Sequence, residues 1–183
     1  MAMPVWLLDI DGVINAAVGP KRPPTHAWPA SEWIDTSADG IDRGRVRTRT
    51  WRILAARPVL DLIRSVHEQG RAEIRWHTTW QETAREVATA LDLPEFAVQD
   101  APEFYQLEEE LRRDRWWKLP AVWRVLAEGR RVLWTDDDAS TDLTTAQKAT
   151  LAAAGCHVVS PDPMTGLCKR HLREIDEFLG GAS

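Results

Sequence analysis

The stretch Val5-Trp6-Leu7-Leu8-Asp9-Ile10-Asp11-Gly12 combines four apolar residues, enough for a short buried strand, with two carboxylates two positions apart and a glycine at its exit. Other short apolar runs read the same way: Ala72 to Trp76, Arg131 to Trp134 and Cys156 to Val159. Between the runs, apolar residues recur at helical spacing, as in Val59, Leu62, Ile63 and Val66, in Ala84, Val87, Ala88 and Leu91, and in Leu119, Val122, Trp123 and Leu126. Pro58 and Pro120 suit first helical turns, while Gly70, Gly129 and Gly155 suit C-terminal caps. A last helix, about Lys169 to Leu179, offers Leu172, Ile175 and Leu179 to the body. Strands alternating with helices predict an α/β fold of three layers, α/β/α, around a mainly parallel sheet. Ligands of such sheets bind outside the carboxyl ends of the strands.

With 183 residues, 44% hydrophobic and 28% charged, the chain suits one globular domain over 1–183. A net charge of -5 repels polyanions, so any nucleic-acid contact needs a local basic patch. Cys156 and Cys168 lack the spacing of a metal site or disulfide framework and read as free thiols. The start, MAMPVWLLDIDG, has no basic run ahead of its apolar residues, and no segment approaches a membrane span, so a cytoplasmic protein without membrane contact is expected. Ten tryptophans serve equally as core or as stacking platforms for bases.

Residues 16–56, rich in Pro, Gly and charge, read as a small insertion, a hairpin beside the strand ends. Within it, DRGRVRTRTWRI alternates. If this is a strand, Arg43, Arg45, Arg47 and Arg49 share one face, suited to phosphate contacts and equally to solvent. Arg45 and Arg47 are the candidate substrate contacts.

At the predicted strand exits stand Asp9 and Asp11, then Thr78-Thr79, then Asp136-Asp137-Asp138, with Lys118 opening the third helix. This set points to phosphoryl transfer through a carboxylate. A phosphomonoester dianion repels an anionic nucleophile unless a hard cation bridges them, and Asp9, Asp136 and Asp137 offer oxygens to Mg²⁺. Lys118 would neutralise charge, and a hydroxyl and N–H groups at Thr78 would hold phosphoryl oxygens, with Thr79 a competitor for that role. Asp11 would protonate the leaving oxygen and later deprotonate water. Lys148 and Lys169 are alternatives to Lys118. His77 reads as a buried histidine, Asn15 as a substrate contact or turn residue, and Asp138 as a helix cap or solvated acid.

On these residues the chain resembles the haloacid dehalogenase (HAD) superfamily. Its DxDG motif matches Asp9, Asp11 and Gly12, its Ser/Thr motif Thr78, its lysine motif Lys118, and its paired acids Asp136 and Asp137. The resemblance implies a Rossmann-like core and Mg²⁺ held by Asp9, by the main-chain carbonyl of Asp11 and by Asp137, with Asp136 acting through water or orienting its neighbour. WHTTW (76–80), WTDDD (134–138) and TGLCKRHLREIDEFL (165–179) are similar to bacterial HAD domains associated with RNA-repair proteins. An acid at 11 favours a phosphatase over dehalogenase or ATPase branches. A small cap goes with large substrates, so a phosphorylated small molecule or a nucleic-acid phosphate end is expected as partner. A non-catalytic phosphate-binding module and a phosphotransferase are the alternatives.

Overall fold

The structure is a computed structural model and describes residues 2–19, 21–42, 45, 47–106 and 117–180. In chain order the elements are β1 (Val5–Leu8), β2 (Trp33–Asp42), β3 (Arg47–Ala56), α1 (Arg57–Glu68), β4 (Glu73–Trp76), α2 (Ala84–Ala90), β5 (Ala97–Val98), α3 (Glu103–Gln106), α4 (Lys118–Ala127), β6 (Val132–Thr135), α5 (Ala139–Asp142), α6 (Thr145–Ala153), β7 (Cys156–Val159) and α7 (Lys169–Phe178).

Five strands form one parallel sheet in the order β5-β4-β1-β6-β7. The chain starts at the centre in β1, builds outward through β4 and β5, then returns to place β6 and β7 on the other side. The direction of winding therefore reverses beside β1, which opens a crevice at the carboxyl ends of β1 and its neighbours. The four apolar runs became β1, β4, β6 and β7, whereas β5, two residues long, is too short to carry a periodic signal.

Successive side chains of β1 face opposite sides of the sheet. Trp6 and Leu8 pack with Leu60 and Ile63 of α1, Val87 of α2 and Ile175 of α7. Val5 and Leu7 pack with Val122 and Val125 of α4 and Leu151 of α6. Helices thus cover both faces, giving the predicted α/β/α layering, and all four β1 side chains are fully buried. No helix among the described residues is long and apolar enough to cross a membrane.

The expected hairpin is β2 and β3, paired antiparallel from Trp33↔Ala56 to Asp42↔Arg47. Its base, Ile53 to Ala56, is buried and runs directly into α1. There Ala16 N–H donates to the Leu54 carbonyl at 2.9 Å, and Asn15 bridges Ala55, so the hairpin is tied to the loop that leaves β1. The arginine face is smaller than the alternation predicts, because β3 begins only at Arg47. Arg47 and Arg49 share a strand face, Arg45 lies in the turn, and Arg43 lies outside the described residues.

Most of the described tryptophans are structural. Trp6, Trp76 and Trp134 are fully buried, and Trp28 and Trp33 are buried with their indole N–H groups donating to the carbonyls of Leu167 and Trp28. Trp6 Nε1 donates to Thr135 Oγ1 at 3.0 Å, joining β1 to β6 just before their exits at Asp9 and Asp136. Trp6→Phe removes that donor and leaves a buried hydroxyl short of a partner. A destabilisation of about 1–3 kcal/mol is expected, measured by denaturant unfolding against the parent chain.

Candidate active site

Each acid reaches the crevice because its strand stops just before it. Asp9 is the first residue past β1, its N–H donating to the Thr135 carbonyl at 3.1 Å. The chain then turns tightly, with the Ile10 carbonyl accepting from Ile14 and Asn15 at 2.9 and 2.8 Å. Gly12 makes this turn at φ +71°, and a Cβ there would overlap the Asp137 carboxylate, so only glycine lets the β1 and β6 loops meet. Asp136 follows β6 and donates its N–H to the Val159 carbonyl at 3.0 Å.

Lys118, the first residue of α4, is 3% exposed and joins the two loops. Its Nζ lies 2.5 Å from Asp9 Oδ2 and 2.5 Å from Asp136 Oδ2. The other oxygens are held by main chain: Ile10 N–H donates to Asp9 Oδ1 at 2.7 Å, and Asp138 N–H to Asp136 Oδ1 at 3.1 Å. Asp137 is half-buried, and Asp9, Asp136 and Asp137 each offer one oxygen within 4.8 Å of the others, a group that could hold a metal ion. The lysine is placed by His77, which sequence reading makes a buried histidine without naming what it holds. The His77 ring is buried against Trp117, and its Nε2 lies 3.1 Å from the Lys118 carbonyl. Burial, reinforced by the Lys118 charge, pushes His77 down to about 3, so the ring is neutral, and the carbonyl partner requires the proton on Nε2.

The carboxylates feel their crowding. Burial lifts Asp136 to about 7, with Lys118 opposing and Asp9 adding to the rise. Burial also lifts Asp137 to about 7, with the Asp9 and Asp138 charges behind it. For Lys118, burial alone would lower the pKa, but the Asp136 and Asp9 carboxylates outweigh it and hold the ammonium above the usual lysine range. Four ionisable groups with one positive charge among them form a site in want of a further cation.

Asp11 faces the other way. Its side chain is exposed on one side, onto a cavity of about 160 Å³, and crowded by protein on the others. That crowding raises its pKa, against hydrogen bonds from Asn15 and Trp80 that lower it. Sequence reading makes Asn15 a substrate contact or turn residue and does not single out Trp80 for chemistry. Thr79 is exposed and lines the same cavity, whereas Thr78 is fully buried, with its hydroxyl 3.4 Å from Trp80 N–H. The cavity's hairpin wall is Gly40, Ile41 and Trp51. Arg49 lies with its guanidinium 4.1 Å from the Trp51 ring centroid. Arg45 and Arg47 are exposed near the hairpin turn and do not line the cavity, Arg47 standing 4.0 Å from Asp42. The alternative lysines lie elsewhere: Lys148 donates to the Ser140 carbonyl, and Lys169 sits over Trp28. Asp138 is exposed and its side chain caps nothing.

A family model described as the HAD domain in Swiss Army Knife RNA repair proteins matches residues 5–172, from β1 to the first turn of α7. No curated protein and no solved structure matches the chain. The match takes in every strand described above and all of Asp9, Asp11, Thr78, Lys118, Asp136 and Asp137. With the acids of two strand ends gathered on one lysine at the crevice of a parallel sheet, the chain belongs to the HAD superfamily, among the HAD domains of Swiss Army Knife RNA repair proteins.

Proposed function

We propose that the chain is a Mg²⁺-dependent phosphomonoester hydrolase that works through an aspartyl phosphate on Asp9. The observation that carries this reading is the convergence of Asp9, Asp136 and Lys118 in direct contact, with Asp137 in the same cluster and Asp11 at the adjoining cavity. The all-oxygen donor set of Asp9, Asp136 and Asp137, joined by the Asp11 main-chain carbonyl that the family resemblance implies, suits a hard divalent cation. Mg²⁺ bound there supplies countercharge that lets a phosphate dianion approach a carboxylate.

The chain's own groups do the rest. An Asp9 oxygen attacks phosphorus while Lys118 offsets charge on the nucleophile and on the transferring group. As the bond from phosphorus to the alcohol oxygen breaks, Asp11 gives that oxygen its proton. Asp11 then takes a proton from the water that attacks the acyl phosphate, which frees inorganic phosphate and restores Asp9. Thr78 and Thr79, at the exit of β4, are the candidates for holding phosphoryl oxygens through hydroxyl and N–H groups.

For substrate, the reading favours a phosphate at a nucleic-acid end. Its support is the RNA-repair proteins named by the family description, together with Trp51 and Arg49 beside the cavity and Arg45 and Arg47 farther out on the hairpin. Free Cys156 and Cys168 accord with a reducing cytoplasm.

A screen of sugar phosphates, nucleotides and 3′- or 5′-phosphorylated oligonucleotides tests the activity. Turnover is expected to need Mg²⁺ and to fall by about 10³-fold or more in Asp9→Asn. Oligonucleotide preference should weaken with salt, less steeply in Arg47→Ala if that arginine meets a phosphate. No turnover on any ester would leave only a phosphate-binding module.

The lifted carboxylates give a second test. Both folded-state pKa values lie above the ordinary value of 3.8, so their contribution to stability is present below that value and is lost as pH rises through about 7 in the absence of metal. Metal binding requires the same deprotonation. Mg²⁺ at about a hundredfold its Kd should therefore raise Tm by about 5–10 °C at pH near 8 and far less near 5.5. Asp137→Asn should abolish most of the shift, and an equal shift at both pH values would contradict the assignment.

A further inference from the structure

Asp11 is held on both oxygens. Asn15 Nδ2 donates to Oδ1 at 2.7 Å and Trp80 Nε1 donates to Oδ2 at 2.8 Å. Each oxygen keeps a second lone pair, enough to carry and pass a proton, while the two donors together restrict rotation of the carboxyl group.

Both donors are themselves fixed, and the hairpin fixes them. Asn15 Oδ1 accepts from Leu54 N–H of β3 at 2.8 Å, so the amide can turn only its NH₂ toward Asp11. Trp80 is 8% exposed, and Gly40 of β2 lies against its six-membered ring so closely that a Cβ there would stand 2.7 Å away. The Trp80 carbonyl accepts from the hydroxyl and the N–H of Thr83, which pins the loop after β4. The cavity onto which Asp11 opens is walled by these same pieces, with Gly40, Ile41 and Trp51 on one side and Thr79, Trp80 and Thr83 on the other.

We propose that Asn15 and Trp80 are positioning residues for the acid/base Asp11, and that the β2–β3 hairpin serves catalysis by locking both donors. The proposal rests on the phosphatase reading above. An alkoxide leaving group must be protonated as its bond to phosphorus breaks, whereas p-nitrophenolate leaves without a proton. Loss of positioning at Asp11 should therefore fall on alkyl esters and spare aryl ones.

The test is the ratio of kcat/KM for glycerol 1-phosphate to that for p-nitrophenyl phosphate in the full chain with Mg²⁺. Trp80→Phe keeps an aromatic side chain in the loop but removes the N–H, together with the outer ring that meets Gly40. Asn15→Asp keeps an oxygen for Leu54 N–H and removes the donor to Asp11. Each should lower the ratio by about tenfold or more. In an Asp11→Asn background, Trp80→Phe should lower it no further, because its effect passes through Asp11. Equal loss on both esters, an unchanged ratio, or the same drop in the Asp11→Asn background would overturn the positioning role and leave the phosphatase reading standing. A parent chain that hydrolyses neither these two esters nor any member of the screen above would overturn both.

Discussion

A buried ammonium in contact with two buried carboxylates is the constraint around which the crevice is arranged. Lys118 Nζ lies 2.5 Å from Asp9 and 2.5 Å from Asp136, and with Asp137 the group carries two net negative charges when fully ionised. Burying such a group is costly unless every charge is met, and loss of the lysine would strand its partners. The rest of the site follows from that demand. Strands β1 and β6 must end side by side, α4 must begin where its first side chain reaches both, and His77 must secure the Lys118 carbonyl. The remaining charge is what a divalent cation and a phosphate would use.

The hairpin makes a second demand on the same loops. Through Leu54 and Gly40 it touches Asn15 and Trp80, the two residues that hold Asp11, and through Trp51 it walls the cavity that Asp11 faces. The proposed nucleophile and the proposed acid/base are thus held by different parts of the molecule. Asp9 answers to the sheet and α4, and Asp11 to the hairpin and the loop after β4. Their two-residue separation puts one inward on the lysine and the other outward on the cavity.

Much of the frame was legible because it is written locally. Four short apolar runs that each end in polar residues marked β1, β4, β6 and β7, and Gly70, Gly129 and Gly155 follow α1, α4 and α6 as expected of caps. The acids and Lys118 were legible because chemistry concentrates at strand exits in such sheets. Long-range side-chain contacts were not. Trp80 meets Asp11 across 69 positions and Asn15 meets Leu54 across 39, distances over which no periodicity speaks. The extent of the arginine face was misjudged for a similar reason: alternation is visible in DRGRVRTRTWRI, but where the turn ends and β3 begins is set by pairing with β2. The role of the tryptophans was ambiguous until packing set most of the described ones in the core and the pair, Trp51 and Trp80, at the cavity.

The most direct measurement is a search for phosphate covalently attached to the protein. The chain would be mixed with a radiolabelled phosphomonoester and Mg²⁺, quenched in acid within the first turnover, and digested for peptide mapping. Label on the peptide that contains Asp9, released by hydroxylamine and missing from Asp9→Asn, is the predicted result. Hydrolysis that proceeds with no label on the protein, or with label on another residue, would rule out Asp9 as the nucleophile.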